Sequence, residues 1–378
     1  FGASAPRMHL AFVLLGTLNA WLLAHALVRS GVPSRGAAIA AIVFTLTPFV
    51  VYVHGWTGTL ADLLTLGLGL AAFCAVRRSL ETAHRGESAA SAITSGLLVA
   101  AALLSKESAV VLPARLLLAI PKGTSPGKAA AAIVPASMIA IAYLAIRLPV
   151  LAHSAQIDSA YAWSIAHVPA RFADYLLFPF VPPLLEVGPL LTKSPARLAA
   201  ATACAATLLL ALATTGWRRP IVWLGAYAIA LAPVLVLGTA YNQYAYLASA
   251  AGVGLVAAAW SSLRPLARNV TLALAAIAIA HGIAVMSRMQ AIGTIQRHLG
   301  DDLLAALRES TAPLYIAAAD PRDAWLPARL LRGVDAYRGT KFSGRVHLGE
   351  PPEGADGQLL RMTRNGHLLA QSPALTPD

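Results

Sequence analysis

The chain predicts an all-α polytopic membrane protein of about ten transmembrane helices with a small C-terminal soluble α+β tail. Three observations predict it: ten apolar stretches in succession, a charged content of 12% against 57% hydrophobic, and Lys and Arg gathered in every second gap. No water reaches the bilayer core, so backbone groups must pair within their own segment, and apolar runs of roughly 17 to 25 residues become spanning helices. A mean hydropathy of +0.65 over 378 residues lies outside the range of ordinary soluble domains.

The apolar runs fall at 9–28, 36–53, 59–76, 89–104, 109–120, 129–150, 197–215, 221–240, 247–263 and 270–287. The fourth and fifth are short and are either one tilted helix or two crossings broken at Ser105-Lys106-Glu107. Loop charge chooses between these. With two crossings, one side holds Arg29, Arg35, Arg77, Arg78, Arg85, Lys122, Lys128, Arg218, Arg219, Arg264 and Arg268, and the gaps on the other hold Lys106, Arg171 and Lys193. A single crossing divides the same residues almost evenly, so the positive-inside rule favours two. The outward gaps are then 54–58, 105–107, the long stretch 151–195, 241–246 and everything after the last helix, while the inward gaps are short basic turns.

A net charge of +12 would suit nucleic acid, but its basic residues sit in short loops beside apolar segments, where membrane topology and anionic lipid account for them. A nucleic-acid partner is therefore not expected. Cys74 and Cys204 fall inside apolar stretches and read as small buried hydrophobes. The chain opens at Phe1 with no basic segment and small-residue cleavage site before the first run, so no signal peptide is expected and the chain is expected to begin inside a longer protein. The organisation expected is a membrane core over 1–290 and a small outward soluble domain over 291–378. In the long gap, residues 172–191 are apolar yet carry Pro179, Pro182, Pro183 and Pro189, which predicts an interfacial or re-entrant segment. In the tail, 296–308 has amphipathic helical spacing and Asn365-Gly366 signals a type I′ hairpin.

Chemistry-bearing residues gather at the outward gaps. A charge at the bilayer centre costs roughly 2.5 to 3.5 kcal/mol, so Ser105-Lys106-Glu107 belongs at the outward mouth. Adjacent helical residues point about 100° apart, so Lys106 and Glu107 should find separate partners, one of them a ligand phosphate. The plainer reading is a snorkelling Lys and a Glu capping the next helix. His54-Gly55-Trp56-Thr57-Gly58-Thr59 forms an outward turn before Asp62, which is either functional or a helix-start acid. Trp56 reads as an interfacial aromatic and His54 as a polar interface residue. Tyr241-Asn242-Gln243-Tyr244-Ala245-Tyr246-Leu247 could hold a sugar by rings and amides, or serve as an aromatic belt. Asp158, Arg171, Asp174 and Glu186 are further polar candidates in the long gap. No HExxH, GxSxG, P-loop or CxxC pattern occurs, which removes the main support for soluble hydrolase and nucleotide-binding classes.

The order of Asn19, of Pro48 followed by Trp56 and Asp62-Leu63-Leu64, of Leu104-Ser105-Lys106-Glu107-Ser108 with Pro113, and of Tyr244-Ala245-Tyr246-Leu247 before Ser249 resembles the GT-C glycosyltransferase superfamily. The nearest likeness is to bacterial O-mannosyltransferase-like membrane proteins associated with tetratricopeptide repeats, and it covers residues 9 to about 263. It implies a multi-pass protein of the bacterial inner membrane. A polyprenyl-phosphate-linked sugar, mannose among the options, would be the donor, and an outer-face protein or glycan hydroxyl the acceptor. It further implies Lys106 as neighbour of the donor phosphate, Glu107 as its orienting or polar partner, and Tyr244 and Tyr246 in the donor cavity, with Arg171 added to the substrate-binding set. A metal requirement is left open. The chain departs from the family's pattern at Tyr52, Leu60, Asn242 and Gln243, where charged residues are usual. The first outer loop, which bears the family's catalytic carboxylate, would lie upstream of Phe1, and Asp62 is the stand-in. Rival expectations are a catalytically degenerate assembly subunit and a transporter or lipid flippase.

Overall fold

The computed structural model describes residues 5–157, 162–182, 184–188, 194–331, 334, 336–342, 344–352 and 354–370. Asp158, Pro183, Pro189 and Lys193 lie outside them. The chain forms two compact units, Phe1–Met286 and Ser287–Asp378, against an expected boundary after residue 290.

Among its described residues the first unit is built of helices, with one isolated β-bridge between Trp163 and Leu237: α1 (Ala5–Arg29), α2 (Ser34–Leu46), α3 (Pro48–Gly55), α4 (Leu60–Glu81), α5 (Arg85–Ser105), α6 (Leu112–Leu116), α7 (Pro126–Ile157), α8 (Val168–Leu177), α9 (Pro195–Ala213), α10 (Arg218–Leu235), α11 (Tyr246–Ala259) and the first part of α12 (Pro265–Glu309). Seven segments among the described residues are long and apolar enough to cross a membrane, or eight if a bent pair counts as one span. This is a helical membrane protein with fewer spans by that measure than the ten expected.

Each shortfall has a local cause. The run at 36–53 is bent by 66° between α2 and α3, because Pro48 opens a new helix and pushes Thr47 into extended backbone (φ −71°, ψ 151°). The run at 109–120 becomes a 3₁₀ turn (Glu107–Val111), the five-residue α6 and a second 3₁₀ turn (Leu117–Ala119). Near its middle, Pro113 occupies the first turn of α6. The run at 221–240 yields α10, which opens on Arg218-Arg219-Pro220 and ends at Leu235. In contrast, 270–287 and the amphipathic 296–308 are one continuous 45-residue helix.

Contacts fix the path of the first unit between two ends. Arg29 at the end of α1 and Arg77 near the end of α4 both pair with Glu81, and Arg77 donates to the carbonyls of Arg29 and Ala119. At the start of α4, Asn19 donates to the Leu63 carbonyl at 2.9 Å and Asp62 pairs with Lys106. Fifteen residues of α4 separate Asp62 from Arg77, about 22 Å at 1.5 Å per residue. The short stretch from Lys106 to Ala119 therefore starts at one end of α4 and finishes at the other. Arg219 caps the end of α11 through the Ala259 carbonyl (3.0 Å) and Ser262 Oγ (2.9 Å), and Arg268 donates to the Trp260 and Ser261 carbonyls.

The core of this unit is aromatic and aliphatic, with Phe44, Phe49, Leu63, Tyr175, Phe178 and Tyr246 almost wholly buried. Helix α8 and the 3₁₀ turn Phe178–Phe180 bury Tyr175 and Phe178 completely. The segment expected to be interfacial or re-entrant is thus packed into protein at Phe178, whose ring lies 4.9 Å from Phe49. Its carbonyls are met by buried His281 of α12, 2.7 Å from the Leu184 oxygen and 3.3 Å from that of Pro179. One residue on, Gly282 lets α12 press against the bend at Thr47. A Cβ there would lie 1.9 Å from the Leu46 carbonyl oxygen.

The second unit packs the rest of α12 and α13 (Trp325–Leu331) with a four-stranded sheet of order β4-β1-β5-β6, where β1 is Leu314–Ala318, β4 Val346–Leu348, β5 Gln358–Met362 and β6 Leu368–Ala370. β1 runs parallel to β4 and β5, and β6 returns antiparallel to β5. The expected hairpin is present with different geometry: Gly366 alone is left-handed (φ +87°), its N–H donates to the Thr363 carbonyl, and this is a type I turn followed by a left-handed glycine. Both positive-φ residues of a two-residue turn occur instead at Arg338-Gly339, between β2 (Ala336–Tyr337) and β3 (Thr340–Lys341).

Candidate functional site

The site forms where α3 ends, α4 begins and α5 stops. Lys106 terminates α5 in extended backbone (φ −160°, ψ 136°), and its ammonium pairs with the Asp62 carboxylate in the first turn of α4. Their side chains are 17% and 6% exposed, so the pair is largely withdrawn from solvent. The same ammonium lies 5.1 Å from the centre of the Tyr244 ring, within cation–π range. Taking both charges out of water is costly, and the pairing, a backbone hydrogen bond to Asp62 and one ring face offset that cost incompletely. Glu107 goes elsewhere: its carboxylate accepts from Arg147 of α7 at 2.9 Å, a half-exposed pair. Lys106 and Glu107 therefore have separate partners, and both are protein side chains.

Behind this pair lies a polar chain drawn from three distant parts of the sequence. Asn19 of α1 donates through Nδ2 to the Tyr246 hydroxyl at 3.2 Å, and that hydroxyl is 3.0 Å from His54 Nε2. Gly16 makes room for His54, since a Cβ there would meet the imidazole at 2.8 Å. Tyr246, which the resemblance sets in the donor cavity, is 0% exposed, with its hydroxyl held between Asn19 and His54.

A second polar group adjoins the first through aromatic side chains. Tyr52 packs edge-on against Trp56 and its hydroxyl donates to Glu186 Oε1 at 3.3 Å. Glu186 and Arg171 line a cavity with Val187, Gly188, Gly238, Thr239 and Ala240. Arg171 donates to the Gly238 carbonyl and lies 3.6 Å from Asp174, so it meets the cavity already paired. The 185–187 turn is pinned by Asn242, which donates to the Leu185 carbonyl (2.9 Å) and accepts from the Val187 N–H (2.7 Å). Tyr175 clamps the neighbouring backbone by donating to the Tyr241 carbonyl and accepting from its N–H. Burial pushes the Tyr175 phenol up, so it stays neutral in that role. Gln243 Oε1 is buried without a hydrogen-bond partner.

The structure thus unites Asp62, Lys106 and Tyr244 at one point, sends Glu107 to Arg147, buries Tyr246 behind them and sets Arg171 with Glu186. Two of the positions where the resemblance expects charge have neutral residues with defined work: Tyr52 brings a carboxylate from Glu186, and Asn242 holds the loop that carries it. Arg115 and Arg147 escaped the sequence reading. The signal that would have found them is a lone arginine inside an apolar run. Among the described residues, no group of three or more His, Cys, Asp or Glu is arranged to hold a metal ion. No family model, curated protein or solved structure matches the chain.

Proposed function

We propose that the chain is a membrane glycosyltransferase that moves a sugar from a polyprenyl-phosphate donor to a protein or glycan hydroxyl. The observation that carries this reading is the withdrawn Asp62–Lys106 pair beneath the Tyr244 ring, at the end of the first unit opposite its arginine-capped helix ends. A buried ion pair adds little to stability, whereas a buried ammonium close to a ring face suits a phosphate leaving group joined to a sugar. Lys106 steadies the departing phosphate, Asp62 holds Lys106 in place, and Tyr244 offers a face to the sugar. Because Asp62 is committed to Lys106, the proton of the acceptor hydroxyl goes to Glu186, the carboxylate beside Arg171 in the adjoining cavity.

The arginine-rich end faces the cytoplasm of a bacterial inner membrane in this reading, by the positive-inside rule, and the site faces outward. The Glu107–Ala119 stretch and α10 then join the eight apolar spans to make ten crossings. The second reading, a catalytically degenerate assembly subunit, draws support from the structural duty of Asn242 and the commitment of Asp62 to an ion pair.

Proteoliposomes carrying the full chain, given polyprenyl-phospho-[¹⁴C]mannose and a solubilised envelope-protein fraction, test both. Label incorporated into protein by the wild type, lost in Lys106→Ala and reduced at least 100-fold in Glu186→Gln, is expected if general-base catalysis contributes its usual 10² or more, roughly. Incorporation unchanged in Lys106→Ala overturns the phosphate role. Donor binding without any transfer to protein or glycan acceptors would favour the degenerate subunit.

A further inference from the structure

Arg115, in α6, lies one helical turn before Ala119 and therefore close to the arginine-capped end. It lines an apolar cavity of about 160 Å³ formed by α1, α4, α6 and α11, whose other walls include Leu27, Leu66, Phe73, Leu112 and Leu255. Its Nε is buried with no hydrogen-bond partner, and none of the hydrogen bonds or ion pairs among the described residues involves its guanidinium. Glu81, an acid at this end, is already shared between Arg29 and Arg77. Leu118 and Ala258 at the rim are exposed, so the cavity opens on the outside of the bundle.

We infer that this cavity binds an anionic glycerophospholipid, with an acyl chain against the leucines and its phosphate on Arg115. An unpaired cation beside apolar walls calls for a counter-anion, and a guanidinium matches phosphate oxygens in a bidentate fork. The basic end of the bundle is where anionic headgroups concentrate. The lipid is distinct from the proposed donor, whose phosphate site lies at the other end of α4. The site has a charged group to read the headgroup and a hydrophobic slot to read the chain, the two parts that a lipid site needs.

Native mass spectrometry of the purified full chain, after exchange into a non-lipid detergent and titration with 1-palmitoyl-2-oleoyl-phosphatidylglycerol, tests it. One tightly retained phosphatidylglycerol is expected, with apparent affinity about tenfold weaker in Arg115→Gln, as for loss of a charge-assisted contact. Arg115→Lys should recover part of it. Gly254→Leu removes the slot without touching the charge: Gly254 lines the cavity and a Cβ there meets Leu27 Cδ2 at an ordinary 3.5 Å. This variant too should lose the lipid. Equal retention by the wild type and Arg115→Gln overturns the proposal, as does equal retention of phosphatidylcholine, displacement by glycerol phosphate alone, or preference for polyprenyl phosphate over phosphatidylglycerol. Unaltered thermal unfolding of Arg115→Lys serves as the folding control. Lys106→Ala should retain the lipid, so loss of transfer and loss of lipid are separate results.

Discussion

The two ends of α4 handle charge in opposite ways. At its last turns Arg77 and Glu81 join Arg29, and the guanidinium of Arg77 finishes on carbonyls released at the ends of α1 and of the Leu117–Ala119 turn. Arg219 and Arg268 do the same for the end of α11 and the turn beyond it. Cations at helix C-termini satisfy orphan carbonyls and the helix dipole together, so these arginines, unlike Arg115 nearby, are organised for stability. At the first turn of the same helix, the Asp62 carboxylate is far more withdrawn from solvent than Glu81, and Asp62 and Lys106 rely chiefly on each other. The difference separates charges that hold the bundle together from charges the bundle must tolerate. Tolerated charges are where function is to be sought.

Three substitutions grade that contrast. Lys106→Met leaves the Asp62 carboxylate buried without its counter-charge, and should cost about 3 to 5 kcal/mol in reversible unfolding in mixed micelles, with much of it recovered when Asp62→Asn is added. A loss below about 1 kcal/mol would mean that water reaches the pair and would weaken the contrast. Arg77→Met, at the other end, removes carbonyl contacts and one of two partners of Glu81, and should cost about 1.5 to 3 kcal/mol without any recovery on pairing with Asp62→Asn. The smallest effect belongs to Glu107→Gln. Its pair with Arg147 is half exposed, so the same assay should register less than about 1 kcal/mol. A cost as large as that of Lys106→Met would show that Glu107 belongs with the buried pair.

Apolar runs and loop charge were enough to read a helical membrane core and a break at Ser105-Lys106-Glu107, because composition acts over whole segments, and the Asn365-Gly366 turn signal added strand to the tail. They failed where one residue redirects the backbone. Pro48 bends one run at Thr47 and Pro113 interrupts another, and neither event alters average hydropathy. The Asp62–Lys106 pairing was not legible because the partners are 44 residues apart, and the Asn19–Tyr246–His54 chain spans up to 227. Pattern along one helix face cannot report which faces meet. Asn242 shows the same limit from another side: its amide type was visible, but that it ties down residues 185–187 depends on where a distant loop runs.

The contact of Gly282 with the Leu46 carbonyl works as a ratchet stop for the longest helix in the protein. Sliding α12 by one position would present His281 or Ile283 to that oxygen, and neither side chain can occupy a gap sized for a hydrogen atom. Within the first unit, α12 thereby acquires a unique axial register against the α2–α3 bend, set by one missing methyl group.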